Sequence, residues 1–71
     1  MERFTEVDGA RLRTLRKERA LSQRDLARVS GVGPVSISEL ERGVREAQPR
    51  TIRKLAEALG VEPKELMKGK L

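Results

Sequence analysis

The chain has 71 residues, no cysteine, no histidine and a single aromatic residue, Phe4. That length fits one domain, whose core must hold without disulfides or a Cys/His zinc site, and one aromatic is too few to stack single-stranded bases in the OB or RRM manner. The net charge of +5 and a pI near 10.5 suit a nucleic-acid ligand.

An Arg-rich, Asn-free composition is also what a GC-rich or heat-adapted source produces, so the placement of charge says more than its sum. Residues 9–28 carry seven basic and two acidic groups, and residues 50–71 carry six and three. Residues 29–49 between them carry two basic and three acidic groups, a net charge of −1. No apolar run approaches the roughly 18 residues a bilayer span needs. The first residues, MERFTEVDG, are polar and acidic, unlike a secretory or transit signal. A cytoplasmic protein is expected.

Residues 1–7 have neither caps nor a period, and partial disorder is expected there. Asp8 is a good N-cap, with Val7 and Leu12 placed as a hydrophobic staple. A first helix is predicted from about Gly9 to Arg19, with Leu12 and Leu15 inward. Ser22 caps a second helix, Gln23 to about Ser30, and Asp25 completes a carboxylate variant of the capping box. Leu26, Ala27 and Val29 are expected to be buried. Gly31 stops this helix. Gly33 and Pro34 open a third, Pro34 to Arg42, burying Ile37 and Leu40, with Gly43 after it. Residues 44–49 read as a loop. A fourth helix, about Arg50 to Leu59, carries Ile52, Leu55, Ala56 and Leu59 on one stripe. A fifth, short helix is expected from Pro63 to about Lys68, with Val61 and Leu66 in the core beside Leu21. The fold class is all-α, five helices without a strand. The domain spans residues 8–68, with 69–71 as a tail.

The window QRDLARVSGVGPVSISELER, residues 23–42, decides the type of bundle. A helix that must stand out from the body needs a fixed, steep crossing against the helix before it. A close crossing wants a small residue, and the fifth of the window is Ala27. A sharp turn wants positive φ, and the ninth is Gly31. The inward positions four, ten, fifteen and eighteen are Leu26, Val32, Ile37 and Leu40. All six fit a helix-turn-helix.

The stretches LSQRDLARVSGV, SISELERG and TIRKLAEALGVEPKEL resemble the Cro and lambda-repressor-like, or Xre-like, helix-turn-helix family, over about residues 7–68. The resemblance implies a compact five-helix domain that binds double-stranded DNA as a dimer and regulates transcription. It implies base contacts from the exposed face of the third helix, here Val35, Ser36, Ser38 and Glu39. Val35 can meet a thymine methyl, the serines can donate or accept, and Glu39 can accept from cytosine N4–H₂ or stand as a solvated carboxylate. Gly33, Pro34 and Val35 depart from the family's polar pattern, and the exposed face of the third helix offers no Asn or Gln to pair with adenine. Gln23, at a helix N-terminus, is implied to grip a phosphate, with Arg24 beside it. Arg42 matches a family phosphate contact, and Arg45 and Arg50 border the next loop as further candidates. Arg16 and Glu41 are implied to form a structural ion pair joining the first and third helices.

A second reading is a protein-interaction or antitoxin-type module of the same fold, favoured slightly by the near-neutral centre of the chain. An enzyme is disfavoured, because without His, Cys or Tyr the usual bases and nucleophiles are few. No metal or cofactor is expected. A homodimer, at least on DNA, would use the helix 4–5 region or an apolar patch of Leu66, Met67 and Leu71.

Overall fold

The computed structural model describes residues 3–69. Among them lie four α-helices and a closing 3-10 turn: α1 (Gly9–Glu18), α2 (Gln23–Ser30), α3 (Pro34–Glu41), α4 (Pro49–Leu59) and the turn Pro63–Leu66.

Each helix starts where its caps dictate. The Asp8 carboxylate accepts the Arg11 backbone N–H at 3.0 Å, and Val7 and Leu12 are both buried at the entry to α1. Ser22 Oγ accepts the Asp25 N–H at 2.9 Å, while Asp25 accepts the Ser22 N–H at 3.0 Å, so the capping box of α2 is complete. These bonds, the Ser22 N–H first and its hydroxyl next, then Arg28, hold the Asp25 carboxyl below its ordinary pKa. Pro34 and Pro49 occupy first-turn positions of α3 and α4, where a missing N–H costs nothing. Gly31 has φ +78° and ends α2, which lets the chain reverse into α3 within three residues.

α1 ends differently. Its N–H of Leu21 bonds the Arg16 carbonyl at 3.2 Å and that of Ala20 bonds Lys17 at 2.9 Å, a Schellman closure. The left-handed position of that closure, φ +57°, is held by Ala20 rather than by glycine. A side chain there is strained, and glycine relieves the strain at some cost in chain entropy. Ala20→Gly is therefore expected to raise stability by about 0.5–1 kcal/mol. Urea unfolding would register this as a higher midpoint at unchanged slope, and a lower midpoint would refute it.

Leu12, Leu26, Ile37, Leu40, Ile52, Leu55, Leu59 and Leu66 are fully buried and form the core. α2 packs on α3 and α4, α1 packs on α3, and the closing turn seals α4 and α1. Leu21 and Val61 cover its edge and are only partly buried.

Four expectations need correction. The fifth helix is a single 3-10 turn, because Met67 leaves it in an extended conformation (φ −93°, ψ 130°) and bridges to Val7. The chain after Leu66 is thereby committed to the N-terminal segment: Asp8 N–H bonds the Leu66 carbonyl at 2.8 Å, and Lys68 N–H bonds that of Glu6 at 3.1 Å. For the same reason residues 5–7, expected to be partly disordered, are paired. Thr5 and Ala47 exchange N–H···O bonds of 2.7 and 3.0 Å, and Val7 and Ala47 join the core. Val29 is exposed, since α2 fully buries only Leu26 and ends one residue later, at Ser30. Last, Leu66 is fully buried and so is not part of the apolar patch considered for a dimer, while Met67 is half-buried against the core. Leu71 lies outside the described residues.

Candidate nucleic-acid interface

The inward stripe of α3 is Ile37 and Leu40, and this fixes what its other side presents. Val35 stands 69% exposed, an apolar side chain with nothing over it. Ser36, Ser38 and Glu39 are half-buried on the flanks of that face. The four expected base-contacting residues are thus carried on one short helix at the protein surface.

The chain turns back after α3, with the Val44 N–H on the Glu39 carbonyl at 3.1 Å. That return brings Arg45 over α3. Its Nη1 donates to Ser36 Oγ at 3.1 Å and to Glu39 Oε1 at 2.9 Å. An expected phosphate contact is therefore bonded to two expected base contacts. Sequence reasoning missed this link. The available signal was the i, i+3 spacing of Ser36 and Glu39, which puts them on one helix face with a nearby arginine.

The other cations spread around the same helix pair. Arg42 is exposed at the C-terminal cap of α3, and Arg24 is exposed in the first turn of α2. Arg50 is exposed at the start of α4, where its Nε donates to Gln48 Oε1 at 3.2 Å. Gln23 also has a partner within the protein. Its Nε2 donates to Glu41 Oε1 at 3.1 Å, leaving one amide hydrogen for another acceptor.

Glu41 is the hub beneath the site. Arg16 Nε donates to Glu41 Oε2 at 2.6 Å and Nη2 to Oε1 at 3.0 Å, a bidentate pair between α1 and α3. Arg16 Nη1 also donates to the Leu21 carbonyl at 2.8 Å. The two side chains are only 9% and 4% exposed. Burial opposes ionisation of Glu41, but hydrogen bonds from Arg16 and Gln23 and the charges of Arg16 and Arg13 outweigh it, so its carboxyl titrates below the ordinary value. The bond to Glu41 raises Arg16 in turn. The pair ties the exposed helix to α1 from behind, and Gln23 adds α2 to the same knot.

A short helix packed on α1 and α2 with its outer face exposed, reached through a tight glycine turn and with exposed arginines near it, is the arrangement of a helix-turn-helix protein. The chain belongs to the HTH_3 helix-turn-helix family, whose model matches residues 12–66. It is 48% identical over 60 residues to the transcriptional repressor RghR of Bacillus subtilis, covering 83% of this chain and 44% of that protein. The chain thus spans under half the length of that relative. Among solved structures it is similar to the restriction-modification controller protein C.AhdI of Aeromonas hydrophila, with a TM-score of 0.77 and 46% identity over 80% of this chain and 86% of that one. It is also similar to the P22 c2 repressor in complex with a synthetic operator, with a TM-score of 0.81 and 35% identity, covering 92% of this chain and 98% of that one.

Proposed function

We propose that this chain binds double-stranded DNA in a sequence-specific manner and regulates transcription as a repressor, with α3 in the major groove. The observation that carries this reading is the exposed face of α3, fixed from behind by Arg16 and Glu41 and flanked by arginines. The likeness to an operator-bound repressor over nearly that whole chain supports it. Val35, Ser36, Ser38 and Glu39 meet base edges in this reading, while Arg24, Arg42 and Arg50 meet phosphates. Gln23 can use its second amide hydrogen on a phosphate at the N-terminus of α2. The reading is of a binding protein, not an enzyme, and no cofactor enters it. A cytoplasmic location fits, and among the described residues no helix is long and apolar enough to cross a membrane.

A homodimer on DNA belongs to this reading, and the length of α3 supports it. α3 has eight residues, so it is about 12 Å long and reaches only three or four base pairs. One such helix specifies too little sequence, whereas two copies reading half-sites about 34 Å apart specify enough.

Selecting bound duplexes from a random double-stranded library at moderate salt tests the reading. Enrichment of one inverted repeat, with binding that weakens as salt rises, is the expected result. Failure to retain any duplex would overturn the DNA reading and turn attention to a protein partner.

A further inference from the structure

We propose that Glu39 and Arg45 act together as the reader of a single C·G base pair, with Arg45 a base contact and not a phosphate contact. This rests on the DNA-binding reading above. A carboxylate on a helix that approaches a polyanion is repelled unless a cation accompanies it. Arg45 supplies that cation, bonded through Nη1 to Glu39 Oε1 at 2.9 Å and to Ser36 Oγ at 3.1 Å. Both partners remain open to solvent, with side chains 47% and 34% exposed. Among the described residues, Glu39 Oε2 and the Nε and Nη2 hydrogens of Arg45 have no hydrogen-bond partner. The pair therefore leaves one carboxylate oxygen and two kinds of guanidinium donor unused.

A C·G pair presents the complement in the major groove: the cytosine N4–H donor, then the guanine O6 and N7 acceptors. Cytosine N4 and guanine O6 are neighbours in the base pair, and Glu39 and Arg45 are likewise held beside each other by their ion pair. An A·T pair matches less well. Beyond the adenine N6–H donor and the thymine O4 acceptor lies a methyl group, where the second arginine donor finds no acceptor. The same pairing removes Arg45 from the phosphate-binding set and gives the exposed carboxylate a purpose. Ser36 serves as the brace that fixes the guanidinium on the helix face.

The test sequences the duplexes selected by the wild-type chain and by the Glu39→Gln, Arg45→Ala and Arg45→Lys variants, with helical circular dichroism as a check on folding. The wild type is expected to require C·G at one position of each half-site. Glu39→Gln and Arg45→Ala should each relax that position by about tenfold and leave other positions alone. Glu39→Gln should also admit adenine there, since a carboxamide pairs with its N6 and N7. Arg45→Lys should not rescue the preference, because an ammonium lacks the planar fork. The proposal is overturned if the variants keep the wild-type preference at every position. It is equally overturned if Arg45→Ala weakens all duplexes alike and lowers the salt slope by about one, which is the mark of a phosphate contact. Retention of no duplex by the folded wild type would instead sink the DNA reading, and this proposal with it.

Discussion

Replacing Glu41 with alanine is expected to destabilise the fold by about 3–5 kcal/mol, because it leaves the Arg16 guanidinium buried with only the Leu21 carbonyl as a partner. A domain of this size holds about 4–11 kcal/mol in total, so the variant should lose about a third or more of its stability. Arg16→Ala should cost a comparable amount, since Glu41 would keep only the Gln23 amide. Replacing both partners with apolar residues of similar volume, as in Arg16→Met with Glu41→Leu, should restore most of the loss. Urea unfolding of the four proteins gives the comparison. A single-variant loss below about 1 kcal/mol would place this pair with ordinary exposed ion pairs and refute its structural role.

The same pair predicts an acid limit. Glu41 has a folded-state pKa below its ordinary value of 4.5, so its ionised form favours the native state. That contribution is fully present above about pH 4.5 and is lost as pH falls through the depressed folded value. Arg16 is shifted upward by its bond to Glu41 and stays charged throughout this window. Asp25 is depressed as well, so the capping box weakens over the same range. Stability should therefore fall below about pH 4, and a Glu41→Gln protein should show a shallower fall because that carboxyl no longer titrates. Identical acid slopes for the two proteins would remove Glu41 from the cause.

Local signals were the ones the sequence could carry. The capping box at Ser22 and Asp25, proline at the first turn of α3 and a glycine at the end of α2 each depend on residues within a few positions of one another. The six inward and small positions of residues 23–42 are similarly a property of one short window. The resemblance to a known family extended this to Arg16 and Glu41, which lie 25 residues apart and share no local pattern. What escaped was set by distant segments. Nothing in MERFTEV announces that Thr5 will pair with Ala47, or that Val7 will divert Met67 from a helix. The link of Arg45 to Ser36 and Glu39 depends on how the chain returns after α3. Val29 satisfied a helical stripe, but no neighbouring element lies over that side of α2, and burial needs a partner as well as a period.

Gly9 is the position where a distant contact has the largest consequence after the ion pair. It opens α1, and glycine there is ordinarily a poor choice, worth up to about 1 kcal/mol less than alanine inside a helix. By propensity, then, Gly9→Ala should stabilise the protein or leave it unchanged. Packing reverses the sign. A Cβ at Gly9 would lie 2.6 Å from the Glu41 carbonyl oxygen and closer still to that of Leu40. Those atoms are backbone at the C-terminal end of α3, so no side chain can rotate away to make room. Relief requires that α1 and α3 separate, which strains the bidentate bonds from Arg16 to Glu41 and opens the core around Leu12 and Leu40. Overpacking of this kind costs about 1–3 kcal/mol, and the backbone contact puts Gly9→Ala at the upper end. Because the displaced carbonyls belong to α3, DNA binding should weaken beyond what partial unfolding explains. The check is a urea midpoint together with affinity for the selected duplex, measured at a temperature where the variant is folded. A midpoint at or above that of the wild type would show that α1 can slide at no cost and that the close approach of Gly9 to α3 does not hold the recognition helix in place.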